Sequence, residues 1–437
     1  MTKPRHKRRM RQRGVALVAV MISLAIILII TNQFGTSTNV DLIAAANYSD
    51  QMRAHYLARS AQNLSELVIR LQQRLDNIKE LSGQVQITDF ADQVLLAFCG
   101  QGEEVKSAVG FSPDSVKGLG ANVGTCGIVN QSITTEDDKL NLNCLAGNDN
   151  TAKTFKSALD ALIYFPAYDP VFEEADAEDY RRDRAQQVAA IQDYIDTDSM
   201  RLRDRGTNED YGYESLKDPY KMKNNYLDTL GELKLVRGVD DRFWTLFGSA
   251  FTVYGACKIN LTALNNPQLI AALLYLSAKN PNDPVVLDPK RLFLLASLVA
   301  KAKQFGQTFQ KAEEFAEFVK DPAAALGATA TAGSNALAGS AASASLGAGI
   351  PGLTGPDKVK LELDLTKLKQ LATAGPRRTY RVQAWGEIDR KMKDKDGNPV
   401  FPAIRTTITG VWDTKLVPQN ARKTPAPKGG WVYLRED

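Results

Sequence analysis

Histidine is scarce in this chain, because its 437 residues include only His6 and His55. Ser-His-Asp or Cys-His catalysis, a His-rich zinc site and a HExxH protease are therefore poorly supported. The four cysteines form no CxxC pair, which also argues against a zinc ribbon and a thioredoxin-like motif. Apolar residues at 44% and charged residues at 24% are ordinary for a globular protein. The sequence thus predicts a folded, globular protein without a site of these kinds.

Charge is absent from Val15–Val40 and unevenly distributed elsewhere. Residues 1–14 hold seven of the 54 Lys and Arg residues and no acid, so the rest of the chain carries 47 basic against 50 acidic side chains. A basic tail of this kind can bind nucleic acid. Directly before an apolar run, it instead indicates the cytoplasmic side of a membrane segment.

The apolar run covers Val15–Ile30 and is interrupted only by Ser23. A helix of this length reaches about 24 Å, a little less than the ~30 Å hydrocarbon core, and the uncharged residues 31–34 can extend it. Three interpretations remain: a cleaved secretory signal, a simple anchor, and a prepilin-type leader that ends at Gly14 and leaves the apolar helix in place. The nearest small-residue site for a signal peptidase, Ala44–Ala46, lies too far downstream.

The helical pattern continues beyond the apolar run. Residues 41–75 contain no Pro or Gly, and their apolar residues recur at helical spacing to about Lys79. We predict one long helix, with a transmembrane part over residues 15–36 and a periplasmic part over 37–80. Such a helix suits a subunit that leaves the bilayer to join a helical filament, although an anchor with a stalk has the same periodicity.

The remaining chain divides by pattern into four parts. Residues 81–156 are irregular and rich in short predicted strands, whereas residues 157–320 have periodic apolar faces that predict helices. Residues 321–356 are a low-complexity Ala/Gly segment that we interpret as a flexible insertion. Residues 357–437 alternate as strands do in VKLELDL, TYRVQAWGEIDR, AIRTTITGVWD and GGWVYLRED, with Asp396-Gly397-Asn398-Pro399 as a hairpin turn. The pattern predicts a helix-and-sheet domain interrupted by an all-helical insertion.

The four cysteines are Cys99, Cys126, Cys144 and Cys257. In an exported domain they can form two disulfides, and the sequence leaves all three connectivities open. Four reduced, buried thiols would instead require a cytoplasmic domain, which disagrees with the topology that the basic tail predicts.

Acidic residues are concentrated at the end of one predicted helix and in the loop after it. They are Asp193, Asp196, Asp198, Asp204, Glu209 and Asp210, with Asn208 among them. An oxygen-rich cluster suits Ca²⁺, which takes about six to eight oxygen ligands. The stretch is not an EF-hand, because its D-x-D lacks the Asp/Asn-Gly that follows in that loop. A solvated acidic loop and a hydrolase acid/base pair are the alternatives.

Residues 235–239 and 258–263 resemble a helix-hairpin-helix module, which can place backbone amides on DNA phosphates. DNA binding would require a basic surface, but the acids Glu232, Asp240 and Asp241 lie close to Lys234 and Arg237. We therefore interpret this region as a structural helix pair.

Four stretches together resemble the protein K family of the type II secretion system, the large minor pseudopilins. They are RQRG with the apolar run and AHYLARSAQNLSELV, EDDKLNLN at 136–143, DYIDTD with KNNYLDTLGELKLVRGVDD, and KINLTA at 258–263. Each is weak alone, but they follow the family's order over about residues 8–265. The Ala/Gly segment and the last strands match only in general character.

The resemblance implies an α+β, pilin-like fold in which a long N-terminal helix packs on an antiparallel sheet, with a large all-α insertion domain. It implies prepilin peptidase cleavage between Gly14 and Val15. Most pilin-like proteins have Glu at the fifth mature position, but this chain has Ala19, as the family characteristically does. A tip subunit has no subunit ahead of it whose N-terminal amine such a Glu would neutralise. The resemblance also implies calcium in the helical insertion, with expected ligands Asp196, Asp198, Glu209 and Asp210.

The function that the resemblance implies is that of a non-enzymatic, single-pass protein of the bacterial inner membrane, with its N-terminus cytoplasmic and its bulk periplasmic. With minor pseudopilins I and J it would form the tip of the pseudopilus, initiate its assembly and help export folded proteins through the outer-membrane secretin. Further expected partners are other pseudopilins, the prepilin peptidase, the inner-membrane assembly platform and membrane lipid, but no nucleic acid. The alternatives are a minor pilin of a type IV pilus, a membrane-tethered helix-hairpin-helix DNA-binding protein and an anchored periplasmic hydrolase.

Overall fold

The computed structural model describes most of the chain, with several gaps. The described residues are 12–78, 85–99, 125–147, 149–174, 183–202, 207–214, 216, 218–304, 306–325, 359–389, 402–416 and 429–437. Most of the predicted leader, most of the Ala/Gly segment and the predicted turn at Asp396-Gly397-Asn398-Pro399 lie outside these residues.

Helices and strands are both present. The main α-helices are α1 (Gln12–Asp76), α2 (Ala91–Cys99), α3 (Asn150–Ile163), α4 (Asp169–Glu173), α5 (Arg184–Ile195), α6 (Asp241–Phe247), α7 (Pro267–Ser277), α8 (Pro284–Leu287), α9 (Pro289–Gln304), α10 (Ala312–Lys320) and α11 (Leu365–Leu371). The strands are β1 (Thr125–Ile128), β2 (Thr134–Thr135), β3 (Leu140–Asn141), β4 (Phe251–Thr252), β5 (Ile259–Asn260), β6 (Ala372–Thr373), β7 (Thr379–Ile388), β8 (Ile404–Asp413) and β9 (Gly430–Glu436).

Helix α1 is a single helix of 65 residues, as its unbroken periodicity predicts. Its first part is exposed, and its most apolar 18-residue window has a mean hydropathy of 2.7. By length and composition, α1 could therefore cross a membrane. The hydroxyl groups of Ser23 and Thr31 donate to the carbonyls of Ala19 and Ile27, at 2.9 and 2.7 Å. These bonds satisfy polar groups that a hydrocarbon environment could not.

The sheet is antiparallel, with the strand order β1-β7-β8-β9 and β2 also paired with β7. The strands predicted from the last 60 residues, β7, β8 and β9, are confirmed. Their period of two places Tyr380, Val382 and Ala384 on one buried face, where they pack with Val68 and Ile69 of α1. The C-terminal half of α1 thus covers this face of the sheet, which is the predicted α+β, pilin-like arrangement.

A second and larger core lies in the helical part of the chain, between Leu140 and Ala372. The predicted bounds of the helical insertion are 157 and 320. In the structure, α3 already begins at Asn150, and residues of this core also come from 140–155 and 359–372. The irregular region predicted to be rich in strands contains the helix α2 as well.

The prediction of a strand over VKLELDL is wrong. Leu363 forms only an isolated bridge with Ala278, and Leu365 begins α11. The Asp364 side chain accepts hydrogen bonds from the amides of Thr366 and Lys367 at 2.8 and 3.3 Å, and so caps this helix. The cap and the core packing of α11 outweigh the strand-like alternation before it.

Two disulfides join the described cysteines. Cys99–Cys126 connects α2 to β1 in the sheet unit, and Cys144–Cys257 closes a sequence separation of 113 residues in the helical unit. The first bond lies in the sheet core, whereas in the second Cys144 is buried in the helical core and Cys257 is exposed.

Candidate metal centre

Three acidic side chains converge where α5 ends. Helix α5 is capped at its start by Asp183 and carries Asp193 in its last turn, and the backbone becomes extended at Asp196. The following loop returns on itself through an antiparallel bridge between Met200 and Asn208. This return places the next residue, Glu209, against the end of the helix.

The carboxylates of Asp193, Asp196 and Glu209 form the acidic cluster. One oxygen from each lies within 4.8 Å of those of the other two. The residues are 6%, 9% and 1% exposed, respectively. Asp193 accepts a hydrogen bond from the Leu202 amide at 3.2 Å, and Glu209 accepts one from Nδ2 of Asn224 at 2.8 Å.

Several oxygens at this cluster have no hydrogen-bond partner among the described residues. They are Oδ1 of Asp196, Oε1 of Glu209 and Oδ1 of Asn224, all of them buried. A buried acceptor without a donor costs about 1–3 kcal/mol. An oxygen-seeking cation would satisfy these atoms without a donor hydrogen.

Burial and mutual repulsion raise the pKa of each carboxyl group in the cluster. Burial contributes most, and it raises the pKa of Asp193 to about 6 and, together with repulsion from Asp198 and Asp193, the pKa of Asp196 to about 7. Burial followed by repulsion from Asp196 raises the pKa of Glu209 to about 8. The charged forms are therefore poorly stabilised by the protein alone, so a bound cation would favour them.

The donor set fits a hard divalent cation. Carboxylate and amide oxygens suit Ca²⁺ or Mg²⁺, and no thiol or imidazole belongs to the cluster. The residues able to hold such an ion are Asp193, Asp196 and Glu209, with the Asn224 amide beside them.

The four residues expected as ligands divide into two pairs. Asp196 and Glu209 belong to the cluster, but Asp198 and Asp210 lie outside it. Their carboxylates accept from backbone amides, Asp198 from Met200 at 2.8 Å and Asp210 from Met222 at 3.0 Å. Of the other acids, Asp193 takes part and Asp204 lies outside the described residues.

Two members of the site were missing from the expected ligand set. The i, i+3 spacing of Asp193 and Asp196 on a helix could have indicated that both face the same side. Asn224 gave no comparable signal, because it reaches the site from a distant segment with a positive φ of 46°.

The acidic cluster lies apart from three cavities that the described residues form. These cavities, of about 900, 540 and 510 Å³, are lined by other residues. An acid/base pair of a glycoside hydrolase needs room for a sugar between and beside its carboxylates. The arrangement therefore favours an ion over a substrate.

The region considered as a helix-hairpin-helix module is a 3-10 turn, Leu230–Leu235, followed by α6, which has only seven residues. Gly238 between them has a φ of 88°. Lys234 pairs with Asp241 at 3.4 Å, and Arg237 donates to the Gly212 carbonyl at 2.8 Å. These basic side chains bind their own chain, as expected of a structural pair.

The structure combines a membrane-length helix packed on an antiparallel sheet with a large helical region, which is the architecture that the sequence predicts. Residues 138–254 match the family model for type II secretion system (T2SS) protein K. The resemblance to this family that the sequence indicates is thereby confirmed. The matched family is named for a secretion system and not for a reaction, which agrees with the expectation that the chain is not an enzyme.

Curated relatives agree with the family match. The chain is 25% identical over 236 residues to type II secretion system protein K of Aeromonas hydrophila, covering 54% of this chain and 61% of that protein. It is 24% identical over 234 residues to protein K of Pectobacterium carotovorum subsp. carotovorum, covering 53% and 60%. The matched regions thus span about three fifths of each relative.

A solved structure is also similar, the GspK-GspI-GspJ complex from the type 2 secretion system of enterotoxigenic Escherichia coli. The match has 14% sequence identity and a TM-score of 0.41, and it covers 72% of this chain and 80% of that chain.

Proposed function

We propose that this chain is a minor pseudopilin that works at the tip of the periplasmic pseudopilus of a type II secretion system. It assembles there with the minor pseudopilins I and J, initiates the pseudopilus and helps to export folded proteins through the outer-membrane secretin. Support comes from the match of residues 138–254 to protein K and from the architecture of α1.

The observation that carries this proposal is the contrast between the two halves of α1. The apolar residues from Val15 to Ile43 are exposed, whereas Ala54, Ala58 and Ala61 are fully buried against the sheet unit. An exposed apolar helix of this length is unstable in water and requires a lipid or protein environment. A subunit that moves from the bilayer into a filament has first the lipid and then the protein environment around this helix.

Topology and processing follow from the charges at the start of the chain. The basic residues of 1–14 place the N-terminus in the cytoplasm and the remaining domains in the periplasm. Cleavage between Gly14 and Val15 by the prepilin peptidase then removes the basic segment and retains the membrane helix. The inner-membrane assembly platform acts on the subunit through this retained helix. Ala19 in place of Glu suits a tip position, since no subunit lies ahead of it.

We further infer that Ca²⁺ is the resident ion of the acidic cluster. Asp193, Asp196 and Glu209 hold it, and the ion neutralises their repulsion. Since Asp193 and Asp196 end a helix and Glu209 lies across a loop, the ion links the two segments and orders the helical unit.

Co-purification with the partner subunits tests the proposal. Leu67 is 51% exposed on α1, and Leu287 is 67% exposed on α8 of the helical unit. We expect full-length chain in detergent to retain subunits I and J, Leu67→Arg to lose most of both, and the matched control Leu287→Arg to retain them. An arginine on a packing face of α1 leaves a desolvated charge at the interface, whereas at Leu287 it remains in water.

Two outcomes would contradict this function. In one, I and J are not retained by the unaltered chain. In the other, Leu67→Arg and Leu287→Arg retain equal amounts, which would remove α1 from the contact. Retention of type IV minor pilins in place of I and J would identify a type IV pilus subunit.

A further inference from the structure

Two asparagines of the DKLNLN stretch act as clamps on distant backbone. Asn141 Nδ2 donates to the carbonyls of Tyr254 and Gly255, at 3.2 and 3.3 Å. Asn143 Nδ2 donates to Leu227 O at 2.9 Å and Val253 O at 3.1 Å, and its Oδ1 accepts from Leu227 N at 2.8 Å. Asn143 thus holds both backbone groups of Leu227, a residue 84 positions further along the chain.

The segment held by Asn143 leads directly to the acidic cluster. Asn224 lies three residues before Leu227, and its Nδ2 donates to Glu209 Oε2 at 2.8 Å and to Asp198 O at 2.7 Å. The positive φ of Asn224 turns the backbone so that its amide faces these acceptors. Leu227 itself is buried in the helical core, so the segment is fixed at one end by packing and by Asn143.

A disulfide joins the chain next to Asn143 to the chain next to Gly255. Cys144, which follows Asn143 directly, is bonded to Cys257, two residues beyond Gly255. The two segments that the asparagines hold, residues 253–255 and Leu227, therefore lie against a 3-10 turn, Leu142–Leu145, that is cross-linked through Cys144. Such an arrangement lowers the freedom of the groups that position Glu209 before any ion binds.

We propose that Asn143 is a positioning residue of the cation site. It does not contact the ion, and it acts through Leu227 and Asn224 to hold Glu209 where a hard divalent cation takes an oxygen from it. This inference rests on the cation site of the proposed function and assigns its preorganisation to a residue outside the acidic loop.

Asn260 offers a matched control. Its Nδ2 donates to the carbonyls of Gly375 and Pro376 at 3.1 and 3.3 Å, and its Oδ1 accepts from the Thr262 amide at 3.0 Å. It is therefore the same kind of clamp with the same number of bonds as Asn143, but it holds a segment on the way to β7 and not to Glu209.

Calorimetric titration of full-length chain in detergent with CaCl₂ tests the proposal. We expect Asn143→Ala to weaken calcium binding about tenfold, the factor that corresponds to ~1.4 kcal/mol. We expect Asn260→Ala to lower the melting temperature of the ion-free protein to a similar extent and to leave calcium affinity within about twofold. Equal affinity of Asn143→Ala and the unaltered chain, or equal weakening by both variants, would overturn the proposal.

Hydrogen exchange on the unaltered chain gives a second test that does not depend on a variant folding. Because coupling between two sites is reciprocal, calcium should slow exchange of the Leu227 amide, which is bonded to Asn143, and leave the Thr262 amide unchanged. Calcium binding without slower exchange at Leu227 would refute the role of Asn143 and leave the cation site standing. Absence of any calcium binding would instead refute the ion itself.

Discussion

Gly386 of β7 lies where α1 comes closest to the sheet, and it offers a sharp test of how the two are joined. A Cβ atom at this position would lie 2.2 Å from the Ala54 carbonyl oxygen, 2.5 Å from the Ala58 amide nitrogen and 2.7 Å from Leu57 Cβ. Overpacking of a core costs about 1–3 kcal/mol. Because two of these three atoms are helix backbone and cannot rotate away, we expect Gly386→Ala to cost about 3 kcal/mol.

Thermal unfolding of full-length chain in detergent measures this cost. We expect the melting temperature of Gly386→Ala to fall on the order of 5–10 °C. Adding Ala58→Gly should not restore it, because the clash is with the Ala58 backbone and not with its side chain. Gly231→Ala is the control, since the nearest atom to its added Cβ is 3.8 Å away. A Gly386→Ala protein that melts with the unaltered chain, or rescue by Ala58→Gly, would show that α1 does not pack on β7 in this way.

Three further predictions concern the ion and processing. Glu209→Gln removes one repelling charge, so in chelator at pH 8.5 it should stabilise the protein by about 1–3 kcal/mol. It should also abolish the rise in melting temperature that calcium produces. A calcium response like that of the unaltered chain would contradict this prediction. In chelator, the free energy of unfolding should fall as the pH rises from 5 to 8.5. The pKa values of Asp196 and Glu209 are raised to about 7 and 8, so the native state keeps protons that the unfolded state has released. Denaturant titrations measure this dependence, and a flat profile would contradict it. Co-expression with the prepilin peptidase should leave Val15 N-terminal by mass spectrometry, and a mature chain that begins at Met1 or near Asn47 would exclude a prepilin leader.

Sequence periodicity predicted the elements whose pattern is local. The end of α1 at Asp76 lies within three residues of the predicted end at Lys79, and β7, β8 and β9 follow their alternation. The helical period and the strand period both arise because one face of the element is buried. The order of apolar side chains along the sequence therefore indicates this burial directly. Residues 359–371 show where this fails. Alternation over a short run predicts a strand equally well for a segment that packs beside a helix, and only the Asp364 cap separates the two.

The acidic cluster was only partly predictable for a different reason. Asp196 and Glu209 lie in one acidic stretch, so composition alone placed them in the candidate set. Asn224 contacts Glu209, 15 residues away in the sequence, and Asn143 contacts Leu227, 84 residues away. Amide side chains that clamp backbone carry no charge pattern and no periodicity, so their role depends on the tertiary fold.

Another buried acid, Glu136, is paired by basic side chains, and it shows what the acidic cluster lacks. Burial alone would raise the pKa of Glu136, but Lys139 and Arg381 bind its carboxylate and, with a hydrogen bond from Thr252, bring that pKa below its ordinary value. This residue joins β7 of the sheet unit to β4 of the helical unit, so its charge is neutralised by the elements that it connects.

Asp196 and Glu209 have no such ion pair among the described residues, and their neighbours in the cluster are other acids. A buried carboxylate is tolerated only when it is paired, protonated or bound to a metal. Basic side chains pair with Glu136. At the acidic cluster, Glu209 Oε2 accepts from Asn224 Nδ2, but Glu209 Oε1 and Asp196 Oδ1 have no donor among the described residues. Near neutral pH, protonation of all three carboxyl groups would be incomplete, because the pKa of Asp193 is only about 6. A bound divalent cation would balance the charge of this site, as we propose for calcium.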